Sequence, residues 1–195
     1  TAFPSGGNIP TASSLNIDFP GRIIANMATV RLGAGGSVDL YSNVVMDLII
    51  DVAGVYVPTY TAVSAGRLVT ISGGARRALD TRDRGFPIAG NTTEFVDLTS
   101  TGVPDDATAV VVNLAAVDAF PGFWTAYPTG VSRPNASSLN IDTPLQTRNS
   151  QGIIALNPGP RGFNIYSQSG GHLVVDVVGW FTGSSSPTSE DGLFV

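Results

Sequence analysis

Short runs of apolar, β-branched and aromatic residues alternate with clusters of Gly, Pro, Asp and Ser along most of this chain. Between residues 66 and 183 the runs are "RLVTI" (67–71), "RALDT" (77–81), "TEFVDL" (93–98), "TAVVVNLAAVD" (108–118), "GFWTAYP" (122–128), "SSLNID" (137–142), "GIIAL" (152–156), "FNIYS" (163–167) and "HLVVDVVGWF" (172–181). Each is rich in β-branched residues or alternates in polarity. Turn chemistry separates them: "PDD" at 104–106, "FPG" at 120–122, "NPGPRG" at 157–162 and "SGG" at 169–171. No amphipathic stretch of helical length interrupts the series. The pattern predicts an all-β fold, an antiparallel two-sheet β-sandwich of Greek-key or jelly-roll type.

The same spelling then recurs. "ASSLNID" stands at 12–18 and again at 136–142, a shift of 124 (136 − 12). "TAFPSG" at 1–6 pairs with "TAYPTG" at 125–130 at that shift, and "LYS" (40–42) with "IYS" (165–167) at a shift of 125. "LIIDVAG" (48–54) and "LVVDVVG" (173–179) also differ by 125, and "GRLV" (66–69) is echoed by "GLFV" (192–195). A tandem period of about 125 residues follows, one net residue being inserted in the loops near 145–161. Residues 1–57 are then the C-terminal half of one module, 58–65 a linker, 66–183 a complete module, and 184–195 a linker with the start of the next. Both linkers are rich in Ser, Thr and Pro, as connectors between folded units are. A half-module of 57 residues holds too little chain to cover both faces of a sheet. Two explanations are open: the chain is a piece of a longer polypeptide, or a neighbouring chain supplies the missing strands.

Composition narrows the function classes. The chain has a net charge of −5, with ten Arg and no Lys. That balance argues against a nucleic-acid partner, which needs a basic stripe, and against docking on anionic lipid. No apolar run reaches the roughly 18–20 residues of a membrane-spanning helix. With no cysteine there is no disulfide, thiol nucleophile or thiolate metal site. The chain does not begin with Met, which fits either a removed leader or an interior piece.

"RALDTR" (77–82), "AVVVNLAAVDAFPGFWTAYPTG" (109–130), "RPNASSLN" (133–140) and "LVVDVVGWF" (173–181) together resemble a tandem repeat of large secreted or surface proteins of actinobacteria and related bacteria. The resemblance spans essentially all of 66–183 and, in its second half, 1–57. It implies a secreted or cell-surface location, in arrays or fused to secreted hydrolases, and implies no defined activity. It also implies a cysteine pair at the positions of Thr129 and Asn164, where this chain has neither cysteine; Ser5 and Asp39 stand there in the first copy.

Two copies in one chain provide an internal control on chemistry, because a site needed by every module should appear in both. The single histidine, His172, aligns with Asp47. With one His, no Cys and no G-x-S-x-G, no catalytic triad is supported, and His/Cys metal sites are excluded by count. "DTRD" (80–83) and "PDD" (104–106) are weak calcium candidates lacking the spacing of a calcium loop. The acids found in both copies are Asp18/Asp142 and Asp51/Asp176. Asp176 sits in so apolar a run that a buried arginine partner is expected, Arg77 or Arg82, as a structural ion pair. The aromatics Phe120, Trp124 and Tyr127 are candidates for an interface or for glycan stacking, with core packing the alternative for Trp124.

The expected function is therefore a non-enzymatic extracellular structural module of a stalk, fibre or surface assembly. Its expected partners are copies of itself or adjacent repeat modules, joined by strand complementation or face packing, and it is expected to need no cofactor. The alternative is a carbohydrate- or cell-wall-binding adhesion module appended to a secreted enzyme.

Overall fold

The computed structural model describes residues 1–9, 14, 15, 17, 20–30, 32–55, 61–71 and 75–189. Most of the first "ASSLNID", including Asp18, and the "GLFV" echo at 192–195 lie outside the described residues, as do residues 58–60 and 190–191 of the expected linkers. The described residues form eleven strands and no helix, and every strand pairing is antiparallel.

Two short strands come first: β1 (Ala2–Pro4) and β2 (Val38–Leu40), paired with each other alone. The remainder are β3 (Leu68–Thr70), β4 (Arg76–Asp80), β5 (Thr92–Asp97), β6 (Ala109–Ala119), β7 (Gly122–Pro128), β8 (Leu139–Ile141), β9 (Gln146–Ala155), β10 (Gly162–Ser167) and β11 (His172–Phe181). They build two sheets. One has the order β5-β10-β7-β8; the other runs β3-β11-β6-β9, with β4 lying beside β3 along the same edge of β11.

The two sheets enclose one core, giving a β-sandwich-like arrangement. Val110, Val112 and Leu114 of β6 and Leu173, Val175 and Val177 of β11 point inward to meet Val96, Trp124, Leu139, Phe163 and Ile165 of the other sheet. The period of two along β6 and β11 accounts for this: every second residue is fully buried, and those between, such as Asn113 and Asp176, face outward. β9 begins six residues before the expected "GIIAL" run. Its first part, "QTRNSQ", is polar because it lies on the edge of the sheet, and β6 supplies its ladder all the same.

β1 and β2 reproduce a piece of that architecture residue for residue. Ala2, Phe3 and Pro4 stand opposite Leu40, Asp39 and Val38, while Ala126, Tyr127 and Pro128 stand opposite Ile165, Asn164 and Phe163. Each first-copy residue differs from its second-copy counterpart by the shift found in the sequence. Thr1 and Tyr41 exchange backbone hydrogen bonds where Thr125 faces Tyr166. The Ala2 amide donates to Ser14 Oγ (3.1 Å), and the Ala126 amide to Ser138 Oγ (3.0 Å).

The likeness stops there. Residues 41–55 contain no strand, although "LIIDVAG" matches the centre of β11. The exposures of Leu48, Ile49, Ile50 and Val52 are 51, 88, 62 and 80%, against 0, 5, 0 and 0% for Leu173, Val174, Val175 and Val177.

Candidate functional site

The densest polar cluster lies on the outer face of the β11 sheet, where β4 runs alongside. The register sets Arg77 directly opposite Asp176. Arg77 Nε donates to Asp176 Oδ1 at 2.6 Å and its Nη1 to Asp80 Oδ2 at 2.5 Å. Arg82 does not reach Asp176. It grips Asp80 instead, through Nε (2.9 Å), Nη2 (2.6 Å) and its own amide (3.0 Å). One arginine therefore bridges two carboxylates, and the second locks the deeper of them.

That deeper acid is Asp80, whose side chain is 5% exposed; Asp176 is 24% and Arg77 47% exposed. The expectation of a buried Asp176 pair is corrected on this point. The apolar neighbours Val175 and Val177 face the core, so alternation turns Asp176 to the outside. The Arg82 hydrogen bond, helped by the Arg82 amide and both guanidinium charges, holds the Asp80 carboxyl down at about 2. The hydrogen bond to Asp176 likewise raises Arg77 above its usual range.

Chemically the cluster is closed. Both oxygens of Asp80 are held by guanidinium groups, which leaves "DTRD" ill suited to a cation. Of "PDD", Asp105 pairs with Arg161, and Asp106 accepts from the hydroxyls of Ser185 and Ser186. No group of three or more acidic, His or Cys side chains is gathered as a metal site among the described residues. Asp142, the other recurring acid, pairs with Arg148 (3.0 Å) and Arg22 (3.6 Å) and accepts from the Ile23 amide. It thus tethers residues 22–23 to the sandwich.

The aromatic candidates separate. Trp124 is 1% exposed and packs in the core between the sheets, so it offers no face to a sugar or a partner. Tyr127 is buried too, its hydroxyl 3.4 Å from Thr93 Oγ1. Only Phe120 is open to solvent. It follows β6 and lines a shallow groove with Pro87, Asp118, Gly170 and His172. The His172 ring is held by Thr81, whose Oγ1 lies 3.0 Å from Nδ1 and accepts from the Leu173 amide. Thr81 is itself fully buried, so its hydroxyl is closed to any substrate.

A second aromatic group escaped sequence reasoning. Arg133 lies over the Tyr166 ring, 3.8 Å from its centroid, and Phe123 packs 5.8 Å from the same ring. The guanidinium covers the ring face that a sugar would need. Nothing in the spacing of positions 123, 133 and 166 signals this contact, which needs both the β7–β10 pairing and the loop after β7 placed over Tyr166.

In the first copy, Ser5 Oγ donates to Asp39 Oδ1 at 2.7 Å. These are the positions where the resemblance implies a cysteine pair. Comparison of the chain with family models, with curated proteins and with solved structures finds no match.

Proposed function

We propose that this chain is a non-enzymatic repeat module of an extracellular stalk, fibre or surface assembly. The observation that carries this reading is the shared register: the β1–β2 ladder and the β7–β10 ladder align the same residues at the shifts of 124 and 125 read from the sequence. A duplicated spelling that folds to a duplicated local geometry is what a tandem array of one sandwich would contain. The ionic cluster supports the same reading, since its groups neutralise one another and leave none poised for acid–base work. Electron microscopy of the polypeptide in its native assembly tests the proposal. Regular rods, fibres or layers are expected; isolated globular particles at every concentration would overturn it.

The exposed Phe120 beside Asp118 and His172 favours a second reading, a cell-wall or glycan-binding appendage. An open ring next to polar groups has the chemistry of a sugar platform. Its test is binding of the purified chain to cell-wall polysaccharide, with loss on Phe120→Ala. Trp124→Ala is unsuited to that test, because it would empty the core.

A further inference from the structure

We infer that residues 44–55 are an acceptor strand for a polypeptide segment of the chemistry found at 67–80 and 109–119: a strand carrying arginine on one flank and a Val/Ala-rich strand on the other. This rests on the repeat-module reading and identifies the partner of its incomplete copy.

The segment "VVMDLIIDVAGV" has the composition of a central strand, and its twin β11 is one. β11 has neighbours on both edges, β6 along one and β3 with β4 along the other. Residues 44–55 have neither among the described residues. Val44, Val45, Leu48, Ile49, Ile50, Val52 and Val55 are all exposed. An apolar run of this kind left open is a template for pairing, restrained here by the charges of Asp47 and Asp51.

The chain's own strands cannot fill the gap. β6 is the natural ladder partner for a β11-type strand, but its two edges are taken by β11 and β9. Two sequence segments of the β11 kind thus share one segment of the β6 kind. Further polypeptide of the 67–119 type is required.

Two residues specify how that partner must look. Asp51 is the counterpart of Asp176, which meets Arg77 at 2.6 Å; Asp51 has no ion-pair partner among the described residues. The incoming edge strand must bring a cation to that position. Gly54 is the counterpart of Gly179, where a Cβ would stand 2.7 Å from the Val69 carbonyl oxygen of β3. A Cβ on Gly54 meets nothing within 4 Å. Glycine at 54 becomes necessary only once a strand of the β3 kind lies against it.

The test extends the full chain before Thr1 by a second copy of residues 66–124 and follows amide hydrogen exchange. Exchange across 48–54 is expected to slow by about 100-fold or more on extension, as for a strand inside a cooperative unit, with a fall in binding of an apolar dye. If 48–54 stays unprotected while 173–179 is protected, the inference is overturned. If the unextended chain protects 48–54 simply on concentration and Gly54→Val leaves that protection in place, self-association of another kind is the occupant and the inference is again overturned. Gly54→Val should abolish the new protection in the extended chain while leaving the exchange and melting of the unextended chain unchanged. Asp51→Arg should weaken the protection, and Arg77→Asp in the added copy should restore it. Strand insertion is read here within one molecule. A failure to find rods or layers would therefore count against the stalk reading and leave this result standing.

Discussion

Leu48-Ile-Ile-Asp-Val and Leu173-Val-Val-Asp-Val are nearly the same pentapeptide with opposite fates. The second is the centre of a sheet, with Leu173, Val175 and Val177 sealed between two layers; the first is irregular and open to water. Intrinsic preference does not separate them, since both are β-branched and apolar. What differs is company. A strand gains from its neighbours' ladders and from a second layer over its face, and an isolated strand gains neither. Each buried Leu or Val contributes roughly 1.5–3 kcal/mol over its exposed counterpart. The β1–β2 pair makes the converse point: where both strands are present in the chain, the register of the β7–β10 pair returns.

Paired substitutions sharpen this contrast. Leu173→Ala should cost about 2–5 kcal/mol in denaturant unfolding, as deletions in a packed core do. Leu48→Ala, the same change in the matching position, should stay within roughly 0.5 kcal/mol. Equal losses at the two sites would show that 44–55 is already buried in solution.

The acid limb comes next. Because folding lowers the Asp80 pKa from 3.8 to about 2, its contribution is complete above about pH 4. It is lost as the pH falls from about 4 through about 2. Allowing for the exposed arginines, the contribution is about 1–2 kcal/mol. It should appear as the difference in unfolding between the parent chain and Asp80→Asn across that window. The difference isolates Asp80 from Asp97 and Asp106, which are also lowered by their hydrogen bonds to Thr99 and Ser185. A difference that stays constant between pH 5 and 2 would mean the guanidinium contacts do not hold in solution.

Asp176→Asn should have a smaller effect, about 0.5–1 kcal/mol, because the pair with Arg77 is half open to water. Asp51→Asn should have no measurable effect in the unextended chain. A cost of several kcal/mol at Asp176 would mean that its outer face is covered by another molecule.

Much of the complete copy was legible in the pattern of residues. The nine apolar or alternating runs between 67 and 181 each fall on one of the strands β3 to β11, and Arg77 was among the residues named for Asp176. The misreadings have specific causes. "QTRNSQ" carries no apolar face, so its place at the start of β9 depended on β6. The hydrophobicity of its run suggests a buried Asp176, whereas its parity relative to Val175 and Val177 points outward. Arg82 lies close to Asp176 in no register; its partner is Asp80, two residues away in its own turn. The Arg133–Tyr166 stack joins positions that only the folded sheet brings together.

Local chemistry thus settled which segments could be strands and where turns would interrupt them, because strand preference and turn geometry act over a few residues. Tertiary structure alone decided which of two near-identical segments became a strand, which carboxylate sank beneath the arginines, and which aromatic reached water. Those outcomes depend on groups distant in the chain arriving at one edge or one face, and a segment holds no record of whether its neighbours will come.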